Sequence, residues 1–102
     1  MGYLLFDQYT YLHFAVGIIT YFFDIHLTTL ILFHTVFEFS ENTQFGMNVI
    51  NTYMPFWPGG KPKADGFLNM FGDTIGVVLG WITAYLLDYY GSMYHWYDQH
   101  II

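Results

Sequence analysis

The chain contains no cysteine and no arginine, and its only lysines are Lys61 and Lys63. Without cysteine, disulfides, thiol catalysis and thiolate metal sites are excluded. The formal net charge is −6 at pH 7. Because nucleic-acid binding needs many Lys and Arg side chains to neutralise phosphates, we expect no nucleic-acid partner.

Charged side chains of either sign are scarce. They make up 10% of the 102 residues, whereas 55% are hydrophobic and 24% are aromatic. An average soluble domain carries roughly 25% charged residues. A soluble chain this short could not bury so many large apolar side chains, because small domains keep a large surface for their volume. We therefore predict a single integral membrane domain over residues 1–102, with the lipid bilayer and other membrane protein subunits as its candidate partners.

Hydrophobic runs predict an all-α bundle of three transmembrane helices, over about residues 4–23, 26–45 and 66–90, followed by a tail over 91–102. The first run, as a helix of about 20 residues, is about 30 Å long and matches the hydrocarbon core of a bilayer. Asp24 and Asp65 are the predicted N-caps of the second and third helices.

A stretch rich in proline and glycine, residues 54–63, predicts a loop at the membrane interface. The lysines of this loop favour its placement on the cytoplasmic side. The N-terminus lacks a basic region and a small-residue cleavage site, so we expect the first hydrophobic segment to be retained.

One stretch of the second predicted helix carries both glutamates of the chain. His34, Glu38 and Glu41 are spaced four and then three residues apart, so on a helix they share one face. Ionisable side chains are costly in lipid, and those that occur there usually pair with one another or mark a functional pathway. The stripe therefore indicates a built site.

Three spans bring the start of the first, the end of the second and the start of the third to the same membrane side. Nearly all ionisable groups of the spans lie in these ends, and the opposite halves are apolar apart from Thr and Tyr. We predict one polar cluster, in which at least one carboxylate is protonated or a metal ion or water lies between the groups. Its candidate catalytic residues are His34, Glu38 and Asp73, its candidate metal ligands are His13, His34, Glu38, Glu41 and Asp73, and its supporting residues are Asp7, Thr10, Asn42 and Asn69.

Small residues four apart in the third span, Gly72, Gly76 and Gly80, predict a close-packing face for a neighbouring helix. Gly17 offers a second close approach on the first span. Packing these glycines inward turns Asp73 toward the second span.

Several blocks of the sequence resemble the bacterial integral membrane family known as UPF0314 (DUF2585). They are Asp7-Gln8-Tyr9-Thr10-Tyr11-Leu12-His13, then Gly17 and Tyr21, then Glu38-Phe39-Ser40-Glu41-Asn42-Thr43, then Gly72-Asp73. The chain departs from the family pattern at Phe37, where the family tends to have Trp, at Thr43, where it has Ser, and in the Pro-rich loop. A weaker similarity links the pattern of Asp65, Asn69, Gly72 and Asp73 to VanZ-like membrane proteins. The resemblance implies a membrane location and a shared polar site, and it implies no activity.

Three functions stay open on these residues. The first is a membrane enzyme that uses a divalent metal or acid–base groups, because imidazole and carboxylate are ligands for Zn, Mn or Fe. The second is a proton or cation relay, against which the apolar halves of the spans argue. The third is a structural membrane subunit of a larger assembly, such as a respiratory-type complex or a virion membrane.

Overall fold

A computed structural model describes residues 3–98 and residue 100. Over this part of the chain the protein is all-α, as predicted, with four helices and no strands. The helices are α1 (Thr10–Phe22), α2 (Leu27–Glu41), α3 (Gln44–Tyr53) and α4 (Phe67–Met93). The predicted tail, residues 91–102, lies partly outside the described residues.

The 27-residue helix α4 is the one helix of the described chain that is long and apolar enough to cross a membrane. Helices α1 and α2 have 13 and 15 residues. At 1.5 Å per residue they are about 20 Å and 22 Å long, shorter than a hydrocarbon core of about 30 Å. Helix α1 begins at Thr10 rather than at Leu4, so the three-span arrangement stays a prediction.

Helices α1 and α4 pack backbone against backbone. A Cβ atom at Gly17 of α1 would collide with the carbonyl oxygen of Val77, and one at Gly80 of α4 would collide with that of Phe14. A Cβ atom at Gly72 of α4 would likewise collide with the carbonyl oxygen of Leu5, which precedes α1. Only glycine permits such an approach, so the predicted glycine face of α4 is the surface that receives α1.

The second predicted helix is shorter than expected, because it ends at Glu41 and a new helix follows. Asn42 is the C-cap of α2, and Thr43 has the extended backbone of an N-cap. The Thr43 hydroxyl accepts a hydrogen bond from the backbone N–H of Gly46 at 3.0 Å, which satisfies a free donor at the start of α3. The continuous helix over residues 26–45 is therefore replaced by two helices.

Neither predicted aspartate cap forms. The N-caps of α2 and α4 are His26 and Gly66, and no side-chain hydrogen bond caps either helix. Asp24 instead adopts a left-handed backbone with φ of 65°. Asp65 precedes α4 and turns its carboxylate toward the loop.

A polar cluster at the end of the bundle remote from the predicted site was not expected. Asp88 of α4 is 3% exposed, and its carboxylate accepts from the Tyr21 hydroxyl at 2.5 Å and from the backbone N–H of His100 at 3.0 Å. The His100 Nε2 atom lies 2.8 Å from the Asp24 carboxylate. We call these four residues the C-terminal clasp. The prediction of an apolar half apart from Thr and Tyr is therefore wrong.

Candidate functional site

The polar stripe of α2 faces α1 and α4. His34 Nε2 lies 3.8 Å from Glu38 Oε2, one turn along α2. His13 Nε2 of α1 lies 3.5 Å from Asp73 Oδ2 of α4, and the rings of His13 and His34 meet edge to face with centroids 5.4 Å apart. The Glu38 carboxyl group lies within hydrogen-bond reach of the carboxyl groups of Glu41 and Asp73. The structure thus brings the predicted catalytic and metal-binding residues together, and we call them the His/Glu/Asp site.

With the carboxyl groups ionised, four buried ligand atoms of this site have no hydrogen-bond partner among the described residues: His34 Nε2, Glu38 Oε1, Glu38 Oε2 and Asp73 Oδ1. Glu38 is 2% exposed and Asp73 is 3% exposed. A buried polar group without a partner costs roughly 1–3 kcal/mol, and a charged one costs more. A polar site with this many free atoms calls for a cation, a proton or ordered water to complete it.

His13 is held in one orientation by the backbone. Its Nδ1 atom lies 2.9 Å from the carbonyl oxygen of Tyr9. Because a carbonyl only accepts, Nδ1 carries the hydrogen, and in the neutral ring Nε2 keeps its lone pair. This is the arrangement in which metal-ligating histidines are usually found, with one ring nitrogen donating to a carbonyl and the other directed at the metal.

The candidate ligands form two groups of three, and Glu38 belongs to both. In each group, the ligand atoms lie within 4.8 Å of one another; the groups are His13, His34 and Glu38, and Glu38, Glu41 and Asp65. The five predicted metal ligands therefore do not surround a single point. Asp73 lies beside His13, and Glu41 lies on the other side of Glu38 with Asp65.

Lys61 and Asp65 belong to this region, although the sequence pointed to them only as a topology signal and a helix cap. Lys61 is 5% exposed, and its Nζ atom lies 2.6 Å from Asp65 Oδ2. The ammonium group also interacts electrostatically with Glu41. It therefore supplies a positive charge to the carboxylate group around Glu41. Residues 61–65 precede α4 and are not helical, so the four-residue spacing of Lys61 and Asp65 did not by itself predict the pair.

The predicted supporting residues tie the elements of the site together. Asn42 donates to the Glu38 carbonyl oxygen at 2.7 Å and accepts from the Asp65 N–H at 2.8 Å, so it joins the end of α2 to the start of α4. Asn69 donates to the Asp7 carboxylate at 3.2 Å. The Thr10 hydroxyl accepts from the Asp7 N–H at 2.9 Å, at the beginning of α1. These residues position the site and do not ligate at its centre.

A cleft of about 450 Å³ opens onto the site. Its polar lining includes His13 and Asp73 on one side and Glu41, Lys61 and Asp65 on the other. Its apolar lining comes from α1, α2 and the Pro/Gly loop. The lining residues are Asp7, Tyr9, Leu12, His13, Ala15, Val16, Ile19, His34, Phe37, Glu41, Trp57, Pro58, Gly60, Lys61, Asp65, Asn69 and Asp73. Both histidines face the cleft, and Glu38 lies behind them.

No protein family, curated protein or solved structure matches this chain. The resemblance to UPF0314 and to VanZ-like proteins stays a prediction.

Proposed function

We propose that this protein is a small multi-pass integral membrane protein that binds one divalent transition-metal ion at His13, His34 and Glu38 and acts as a metal-dependent membrane enzyme. The observation that carries the proposal is the set of buried ligand atoms without partners at His34, Glu38 and Asp73. Such atoms are costly when left alone and are stabilised by a bound cation.

The donor set supports a transition metal rather than Ca²⁺ or Mg²⁺. Two imidazoles and one carboxylate are the ligands of a common class of catalytic zinc site and of non-haem iron sites, whereas Ca²⁺ and Mg²⁺ prefer oxygen alone. The three ligand atoms lie within 4.8 Å of one another. Tetrahedral coordination at about 2.1 Å would bring them to roughly 3.4 Å, which is within reach of small side-chain rotations.

Three protein ligands leave a coordination position for water, whose acidity a metal ion increases. Asp73 is well placed to accept a proton there, because Oδ1 has no partner among the described residues and the side chain lines the cleft beside His13. Glu41 does not share this position, since it belongs with Lys61 and Asp65. In this role Asp73 acts on the reacting groups while His34 and Glu38 hold the metal.

Membrane insertion is supported by the apolar surface of the bundle. Helix α4 meets the length and composition of a membrane span. Large apolar side chains are exposed on the other helices too, among them Phe33 (67%) of α2 and Ile19 (52%) of α1. Monomeric soluble proteins rarely expose contiguous apolar patches of more than a few hundred Å².

A purely structural membrane subunit is the competing function. In that case, the polar cluster would only fix how the helices pack, and its atoms would bond to one another. The C-terminal clasp has this property, because Asp88 accepts from Tyr21 and His100. The His/Glu/Asp site differs, because the neighbours of the Glu38 carboxyl group are the carboxyl groups of Glu41 and Asp73, which can bond to it only by sharing a proton. This contrast between the two clusters favours metal binding.

The test is metal binding by protein purified in mild detergent, stripped with chelator and titrated with Zn²⁺, Mn²⁺, Fe²⁺ or Co²⁺. We expect about one ion per chain, and a Co²⁺ absorption spectrum typical of nitrogen and oxygen ligands. Glu38→Gln keeps the shape of the side chain and removes its charge. It should weaken binding by more than roughly tenfold, since even changes outside the ligand set cost 10–100-fold.

His95→Asn is the matched control, because His95 lies in the tail and its positive φ of 60° is one that asparagine tolerates. It should bind metal as the wild type does. If none of the four ions binds stoichiometrically, or if Glu38→Gln and His95→Asn bind equally, the metal site does not exist and the structural-subunit function becomes the better one.

A further inference from the structure

The cleft at the His/Glu/Asp site changes character along its length. One wall is an apolar face of α1 formed by Leu12, Val16 and Ile19, which are spaced four and three residues apart and are about half exposed. Phe37 and Trp57 lie across from this face, with their rings 5.8 Å apart. The other end of the same cleft is polar. A wholly polar ligand would leave the apolar wall unused, and a wholly apolar one would desolvate the charged end.

The polar end faces the proposed metal position. His13, His34 and Asp73 line the cleft, whereas Glu38 is 2% exposed and lies behind them. A metal ion held by the two histidines and Glu38 therefore has its open coordination position on the cleft side. Asp73 Oδ1 is unpartnered among the described residues and also belongs to this wall.

Charge at the polar end limits the ligand further. Four carboxylates line it, Asp7, Glu41, Asp65 and Asp73, against a single lysine that is already paired with Asp65. Away from the metal, a purely anionic headgroup would find no unpaired lysine, since Lys61 is already bound to Asp65. A headgroup with a cationic arm meets the carboxylates, and its anionic oxygen meets the metal ion.

We propose that the cleft binds a zwitterionic phospholipid of the surrounding bilayer, with one acyl chain along Leu12, Val16 and Ile19 and the headgroup at the His/Glu/Asp site. This proposal rests on the proposed function for the headgroup contact. A cleft of about 450 Å³ has the size of a small-molecule pocket, so it holds the headgroup and the first part of one chain, and the rest of the lipid stays in the bilayer.

Trp57 provides a local readout, because it lines the apolar part of the cleft. The probes are phosphatidylethanolamine and phosphatidylglycerol with the same brominated acyl chains, added to metal-loaded protein in mild detergent. The difference in quenching between wild type and Trp57→Phe isolates the signal of Trp57 from that of the other two tryptophans. We expect saturable quenching by the zwitterionic lipid at concentrations at least tenfold lower than by the anionic lipid.

Val16→Phe fills the cleft and should weaken the zwitterionic lipid at least tenfold. Val36→Phe is the matched control, since Val36 is 55% exposed on α2 and does not line the cleft, and it should change nothing. Non-saturable quenching, or equal quenching by both lipids and both variants, would show only annular lipid and overturn the proposal.

Metal content is measured on the same samples, so that the two proposals fail separately. If the protein binds metal stoichiometrically but Val16→Phe does not change the quenching, the lipid site is overturned and the proposed function stays intact. Quenching that is selective and sensitive to Val16→Phe in protein that binds no metal overturns the proposed function and supports the lipid site.

Discussion

Replacing Gly80 by alanine tests how closely α1 and α4 pack. The new Cβ would collide with the carbonyl oxygen of Phe14, and the carbonyl carbon of the same residue would lie only 2.8 Å away. Both are backbone atoms, so the collision can be relieved only if the two helices move apart. Overpacking of this kind typically costs about 1–3 kcal/mol, against an intrinsic gain of about 1 kcal/mol when alanine replaces glycine in a helix. We expect a net loss of up to about 2 kcal/mol in the free energy of unfolding.

Gly76→Ala is the matched control, one turn earlier on the same face. Its Cβ would meet the Cγ2 atom of Thr10 at 3.2 Å, the carbonyl oxygen of Thr10 at 3.3 Å and the Cβ of His13 at 3.5 Å, all much farther than the contact with the Phe14 carbonyl oxygen at Gly80. A shift of a few tenths of an ångström relieves that contact, so the helix-propensity gain of about 1 kcal/mol is largely retained. The free energies of unfolding of the two variants should therefore differ by about 1–3 kcal/mol.

The assay is reversible unfolding in mixed micelles, followed by circular dichroism, with both variants measured beside the wild type. The order of stability should be Gly76→Ala at or above wild type and Gly80→Ala below it. Equal stability of the two variants would mean that α1 and α4 are not in backbone contact at Gly80. Metal affinity measured on the same samples shows whether separation of the helices also moves His13 away from the site.

Three further predictions concern other contacts. Lys61→Met should lower the free energy of unfolding by about 2–4 kcal/mol, because it leaves the partly buried Asp65 carboxylate, 13% exposed, without its cation, and a loss below about 1 kcal/mol would show that the pair is solvated. Tyr21→Phe should cost about 1–3 kcal/mol by removing a donor from the C-terminal clasp, measured by the same unfolding assay; no loss would contradict the clasp. Single cysteines at Ala64 and Tyr94, introduced into a chain without native cysteine, should react with an impermeant thiol reagent from opposite membrane sides, and labelling from one side would refute an α4 that spans the membrane.

Much of the His/Glu/Asp site follows from short-range rules. The spacing of His34, Glu38 and Glu41 sets one helix face whatever the tertiary structure is, and Gly72, Gly76 and Gly80 set the packing face that carries Asp73. Once α1 packs on that face, His13 reaches Asp73 at 3.5 Å. The proximity of these residues could be predicted from the sequence, because it depends only on helical periodicity and on the order of the helices.

The remaining features depend on contacts that periodicity does not encode. The end of α2 at Glu41 depends on Thr43 capping a new helix, and a Thr is also common inside helices of membrane proteins. Lys61 lies in an irregular loop, where burial and partner cannot be read from spacing alone. Asp24 pairs with His100, a residue of the tail that is 76 positions away in the sequence. The residues next to Asp24 indicated only a helix N-cap.

The two buried carboxylates of α4 have a consequence for the bilayer that we propose around the bundle. Asp73 and Asp88 are 15 positions apart, which is about 22 Å along a helix, whereas a typical hydrocarbon core is about 30 Å thick. The apolar belt between the two polar clusters is thus several ångströms too short for an average membrane. Either the bilayer becomes thinner around the protein, or one of the two carboxylates lies inside the hydrocarbon core. This mismatch favours membranes whose lipids have shorter acyl chains.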